Sequence, residues 1–143
     1  MRGRRPKPPS ETSLHLSVAG YLRRAWPEEL IWLHVPNGAF RNVREASKLK
    51  AMGVLPGAPD LMFVLPKAQV AWIELKTTAG ALSEVQIEFR RKALALKCGY
   101  AVCRTPEEVE DVITRWLAAY GLKPRASMVQ RPAAAAPLLE ARA

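Results

Sequence analysis

Two largely apolar runs, Asp60 to Leu65 and Val70 to Lys76, are separated only by Pro66-Lys67-Ala68-Gln69. So short a link joins two strands only as an antiparallel hairpin, since a parallel return needs a crossover of a dozen or more residues. A chain organised around such a hairpin is committed to a sheet, and its other segments decide what covers it. Leu14, Val18, Tyr21, Leu22 and Ala25 recur at helical spacing, which predicts a helix over roughly 11–25, ended by Pro27. Leu30 to Val35 reads as a short strand stopped by Pro36-Asn37-Gly38. Residues 44–52 form a short helix with Gly53 as its stop, and the loop Gly53 to Pro59 leads into the hairpin. Ser83 and Gln86 make a capping box for a helix that ends at Gly99 and presents Val85, Phe89, Ala93 and Leu96 on one face. Tyr100 to Cys103 is a strand. Thr105, Pro106 and Glu108 then form a second capping box, opening a helix that buries Val109, Val112, Ile113, Trp116, Leu117 and Tyr120 and closes at Gly121. The order α-β-α-β-β-α-β-α predicts a small mixed α/β domain with helices on both faces of its sheet.

The chain is 143 residues long and 49% hydrophobic, enough for one domain that needs no disulfide or metal staple. Its longest stretches without a charged residue, Thr12 to Leu22 and Leu30 to Phe40, are 11 residues each, well short of a membrane span. The basic first 20 residues lack the apolar core of a secretory signal. Cys98 and Cys103 have no partner motif and read as buried thiols of a reducing, cytoplasmic setting. Secreted mini-proteins, membrane proteins and zinc ribbons are thereby excluded. The formal charge of +9 is unevenly spread. Residues 1–9 hold +4 through Arg2, Arg4, Arg5 and Lys7, and residues 123–143 hold +3 from Lys123, Arg125, Arg131 and Arg142 against Glu140. The body, 10–122, carries only +2. The two Pro- and Ala-rich ends are expected to be disordered tails that either attract a polyanion or simply maintain solubility.

Chemistry concentrates at Asp60 and Glu74-Leu75-Lys76. Side chains alternate along a strand, so Glu74 and Lys76 share a face. Pairing residue 66 with 69 sets Asp60 beside Leu75, next to Glu74, and a one-residue slip would still gather both carboxylates and the lysine at one end of the hairpin. Two hard carboxylates at one point suit Mg²⁺ or Mn²⁺. A lysine beside the ion can orient or deprotonate water, or stabilise charge on a phosphoryl oxygen. That is a phosphodiesterase arrangement. A plainer reading has Asp60 capping a turn and Glu74 with Lys76 as an exposed ion pair. Against it, Trp72, Ile73 and Leu75 make Glu74 a charge in a central strand, where such a residue is rarely buried without a partner.

Pro59-Asp60 followed by Glu74-Leu75-Lys76 resembles the signature of the PD-(D/E)XK nuclease superfamily. More narrowly, six ordered segments resemble the VRR-NUC (virus-type replication-repair nuclease) family. They are His34-Val35-Pro36-Asn37-Gly38, Leu49 to Val54, Pro56 to Leu61, Ile73 to Lys76, Gly80 to Ser83, and Gln86, within a similarity running from about Glu11 to Leu117. The resemblance implies a restriction-endonuclease-like core and Mg²⁺- or Mn²⁺-dependent cleavage of DNA. It implies Asp60 and Glu74 as metal-binding carboxylates, the Leu75 main-chain carbonyl as a further ligand, and Lys76 as the catalytic lysine. Glu11 resembles the acidic residue of the first core helix that assists metal or water. Glu11, His15, Val18 and Leu22 lie along one stripe, so Glu11 can look toward the sheet. Gln86 matches the family's helical glutamine, while its place in a capping box gives it a structural task as well. His15 stands where relatives often have glutamine, and a lone histidine on an apolar face is commonly a packed residue. His34 either faces DNA or serves the following turn.

Arg41, Arg44, Lys48 and Lys50, diluted only by Glu45, are the candidate phosphate contacts. Arg90, Arg91 and Lys92 either hold phosphates in the same way or form a solvated helix face, the latter being the plainer reading. The last helix opens with Glu107, Glu108, Glu110 and Asp111, which suits DNA poorly. Without a helix-turn-helix or zinc finger, selectivity for DNA shape is expected, as on Holliday junctions or flaps. The resemblance is to stand-alone members of bacterial and phage replication and repair, some of them dimers. A homodimer here needs an apolar strip on the short helix or the last one. Two other readings stay open: a nuclease acting on linear DNA ends, and a DNA-binding module that kept the fold and lost catalysis.

Overall fold

The computed structural model describes Lys7 and residues 9–36 and 42–128. Arg2, Arg4, Arg5, Arg41, Arg131, Arg142 and the Asn37-Gly38 turn lie outside the described residues. The elements are α1 (Glu11–Ala25), β1 (Ile31–His34), α2 (Val43–Ala51), β2 (Leu61–Leu65), β3 (Gln69–Leu75), α3 (Glu84–Ala95), β4 (Gly99–Cys103) and α4 (Pro106–Ala118). This is the expected order. The sheet runs β1-β2-β3-β4, antiparallel through β3, with β4 parallel to β3 and α3 making the crossover.

Alternation along the strands sorts the two faces. Leu61, Phe63, Leu65, Ala71, Ile73, Leu75 and Cys103 point to one side, where they meet Leu14, Val18, Tyr21 and Leu22 of α1 and Val109, Ile113 and Leu117 of α4. Phe63 sits between two indoles, edge to Trp26 at 5.0 Å and to Trp116 at 5.8 Å between centroids. The opposite face carries Trp72 and Glu74 and is covered by α3, whose Phe89 packs edge-on against Trp72. Helices thus lie on both faces of the mixed sheet.

Five local expectations are corrected. The hairpin pairs Leu65 with Gln69 and Leu61 with Ile73, one step from the register that pairs 66 with 69. Pro66 lacks an N–H for the ladder and joins a three-residue turn, in which Lys67 and Ala68 take left-handed backbone at φ of 60° and 56°. Gly99 does not cap α3. Lys97, at φ 64°, takes that place, with Cys98 N–H bonded to the Ala93 carbonyl and Lys97 N–H to that of Leu94. Gly99 instead starts β4 where a Cβ would lie 2.8 Å from Ala71 Cβ and 3.1 Å from the Trp116 indole. The expected apolar face of α3 is narrow. Ala93 is buried, but Val85 and Leu96, at the two ends of the helix, are 50% and 76% exposed. Thr105 caps α4 by accepting from Glu108 N–H, yet Glu108 does not return the bond; its carboxylate accepts from Arg104 N–H one residue further back.

The fifth correction concerns the C-terminal boundary. Residues 123–128, expected to belong to a disordered tail, pack on the body. Arg125 donates its main-chain N–H to the Ala25 carbonyl at 2.7 Å, Nε to Trp26 O at 2.9 Å and Nη1 to Glu28 at 2.9 Å. Glu110 accepts from Ser127 Oγ and Met128 N–H, and Ala126 O accepts from the Tyr21 hydroxyl. The guanidinium therefore covers carbonyls at the end of α1, where a cation is favoured by the helix dipole. Among the described residues no helix is long and apolar enough to cross a membrane.

Candidate active site

Asp60 stands at the threshold of β2, behind the buried Pro59. Its carboxylate Oδ2 accepts from Leu75 N–H at 2.8 Å, which ties it to the last residue of β3. Its main-chain carbonyl accepts from Val35 N–H at 2.8 Å and approaches His34 Nδ1 at 2.9 Å. A carbonyl oxygen can only accept, so this contact requires the proton on Nδ1. The three-residue turn thus leaves Asp60 at the same end of the hairpin as Glu74, despite the changed register.

Glu74 is 4% exposed, a carboxyl inside a central strand. Its Oε1 accepts from Gln86 Nε2 at 2.7 Å and lies 3.4 Å from Lys76 Nζ. Burial, and secondarily the charge of Asp60, push this carboxyl up to about 7, partly offset by Lys76. Gln86 makes two side-chain contacts, one at the helix cap and one with Glu74. Its Oε1 accepts from Ser83 N–H at 2.9 Å and completes the capping box of α3, while its Nε2 reaches Glu74. Fixing the amide oxygen at the helix end turns its N–H toward the carboxylate.

These groups share one open cleft of about 570 Å³, whose lining includes Asp60, Glu74, Leu75, Lys76, Gln86 and Glu11. Glu11 reaches the wall because it opens the first turn of α1, one turn ahead of His15. The two histidines meet there, His15 and His34 packing edge to face with centroids 4.2 Å apart. Burial and the neighbouring His34 lower the His15 imidazole from its ordinary value, which favours the neutral ring. Arg44, Lys48 and Lys50 are exposed on α2, which buries none of its residues and connects to the cleft wall through the loop ending at Gly57 and Ala58. Arg91 is engaged by Glu88 in two hydrogen bonds on an exposed helix face, in keeping with the solvated reading.

Two contributors carry no signal in the sequence. Arg104 Nη1 donates to Thr77 O at 2.5 Å and Gly80 O at 2.8 Å, clamping the turn that follows Lys76. Gly57, at φ 84°, lies so close to α3 that a Cβ would come within 2.9 Å of Gln86 N. Only the folded arrangement discloses that an arginine ahead of a helix cap, or a glycine in a loop, serves the cleft.

The donor set can be tested against a divalent cation. Two carboxylates that repel each other, one with its pKa raised by burial and secondarily by that repulsion, form a site that a hard cation would neutralise. Among the described residues no group of three His, Cys, Asp or Glu side chains could hold an ion together. Glu11 therefore lines the cleft without closing on Asp60 and Glu74. A two-carboxylate set fits Mg²⁺, which ordinarily keeps several waters.

Comparison with solved structures finds a chain described as a VRR_NUC domain protein that superposes with a TM-score of 0.66 at 22% sequence identity. The match covers 79% of this chain and 92% of the other. At that identity it establishes the fold: this chain has the α/β core of a VRR_NUC domain protein. No protein-family model and no curated protein matches the chain.

Proposed function

We propose that this chain is a Mg²⁺- or Mn²⁺-dependent nuclease of the VRR-NUC kind that hydrolyses phosphodiester bonds in DNA. The observation that carries the reading is the meeting of Asp60, Glu74, Lys76 and Gln86 in one open cleft, with Glu74 buried and its pKa raised. Asp60 and Glu74 would hold the cation, together with the Leu75 main-chain oxygen, and Glu11 would act from the opposite wall on water. The cation would supply Lewis acidity toward the phosphodiester and its attacking water. Lys76, 3.4 Å from Glu74, would hold that water or donate to a non-bridging oxygen as charge develops on it. Attack of that water at phosphorus would form one P–O bond and break the bond to the leaving oxygen, the water's proton passing to solvent and the leaving oxygen taking one from it. Gln86 keeps Glu74 turned into the cleft through its hydrogen bond.

The finer features belong to the same proposal. Arg44, Lys48 and Lys50 would hold phosphates beside the cleft without reading sequence, which favours selection by shape and hence branched DNA. Dimerisation would use α2, since Val43 and Met52 are 82% and 71% exposed while the apolar residues of α4 are buried in the core. Cys98 and Cys103 are free, and burial pushes the Cys103 thiol up to about 12, compatible with a reducing cytoplasm.

The test is a cleavage assay of wild type, Asp60→Ala and Lys76→Ala on four-way junction, flap, linear ends and plain duplex, each with EDTA, Mg²⁺ or Mn²⁺. Metal-dependent cuts by wild type, abolished in Asp60→Ala and slowed in Lys76→Ala without loss of metal affinity, support the reading. Cutting by Asp60→Ala would overturn the metal assignment. Binding without cutting by wild type would favour a DNA-binding module.

A further inference from the structure

We propose that His34 is a positioning residue of this site, holding Asp60 in place through the main chain by its Nδ1–H. The inference rests on the nuclease reading and adds to it a residue with no carboxylate or amine of its own to offer.

Asp60 precedes the first paired residue of β2, where the ladder with β3 ends at Leu61 and Ile73. On the β3 side it therefore lacks the regular strand bonds that fix its neighbours, while Val35 N–H continues the β1 register to its carbonyl. Three contacts hold it. Oδ2 is held by Leu75 N–H, and the carbonyl is held jointly by Val35 N–H and His34 Nδ1. Two of these donors are main-chain groups that no substitution short of proline removes. His34 supplies the one side-chain anchor. Its ring is supported from behind by His15, edge-on at 4.2 Å, and both rings line the cleft. His34 is also paired with Leu61, so one residue of β1 braces both the start of β2 and the residue before it. An imidazole whose Nδ1–H is bound to a carbonyl has a defined tautomer and orientation. Without that bond, the Asp60 carbonyl keeps a single donor, Val35 N–H, and the carboxylate is positioned by Leu75 N–H alone.

Asparagine and glutamine separate the two ring nitrogens. The Asn side-chain N–H₂ occupies the place of Nδ1, and that of Gln falls near Nε2. Mn²⁺ affinity is measured by calorimetry on the full chain for wild type, His34→Ala, His34→Asn and His34→Gln, alongside single-turnover cleavage and DNA KM. His34→Ala and His34→Gln should lose roughly ten- to hundred-fold in Mn²⁺ affinity and in cleavage rate, with KM for DNA little changed. His34→Asn should recover most of both. Wild-type affinity in His34→Ala would overturn the proposal, as would rescue by Gln and not Asn, which would assign the role to Nε2 and the substrate. If His34→Ala fails to fold, the Asn and Gln variants still decide it. A wild type that neither binds Mn²⁺ nor cuts would overturn the nuclease reading and this proposal with it, a result distinguishable from the others because it needs no variant.

Discussion

Burial and the adjacent Asp60 hold the Glu74 carboxyl at about 7 in the metal-free fold, against 4.5 for the ordinary group. The folded chain therefore binds more protons than the unfolded chain between those values, and its stability falls as pH rises through that window. The upper limit of the loss is about 3 kcal/mol, from the size of the shift. Melting in EDTA should show Tm declining between about pH 5 and pH 7, and Glu74→Gln should flatten the decline; an undiminished slope in that variant would assign the titration to another group. Two other residues give a paired test. Lys97→Gly, which relieves a left-handed backbone at a helix end, should stabilise the fold by about 1 kcal/mol. Gly99→Ala, which forces a methyl against Ala71 and Trp116, should cost roughly 1–3 kcal/mol in chemical denaturation. The sequence pattern exchanges these two in function, because a glycine after a helical run signals a cap and nothing local reports the strand and indole that crowd it.

At the level of elements, helices and strands are legible because proline, glycine and capping residues punctuate them: Pro27, Gly53, Ser83 with Gln86, and Thr105 with Pro106. The register of the β2–β3 hairpin is not, since neither Lys67 nor Ala68 advertises positive φ. The site tolerates that difference because Asp60 sits at the hairpin's open end and is tied to Leu75 by its side chain rather than by the ladder. The α2 helix poses a different question. It contributes nothing to the core and presents Arg44, Lys48 and Lys50 to solvent, so its basic face is free for phosphates. Replacing Arg44 and Lys48 by alanine should weaken DNA binding at all sequences alike and lower the salt slope by about 1 for each phosphate no longer neutralised. An unchanged slope in a salt titration would remove α2 from the interface.

For the molecule as a whole, the segment through Met128 belongs to the domain, although charge and composition assign it to a tail. Composition registers Lys123 and Arg125 as loose positive charge; it cannot register that Arg125 meets three carbonyls and Glu28 at the end of α1. Arg125→Ala should lower stability by about 2 kcal/mol, mostly through the carbonyl bonds rather than the exposed ion pair. A denaturation midpoint equal to wild type would show that the main-chain bond to Ala25 suffices. Helix α1 is consequently gripped at both ends. Its first two turns form a wall of the cleft through Glu11, Thr12 and His15, and its last turn is held by Arg125. Fifteen residues of helix make a rod of about 22 Å. Tension or a bulky attachment applied beyond residue 128 would be transmitted along that rod as along a lever, so a fusion at the far side of the molecule can be felt at the wall opposite Asp60.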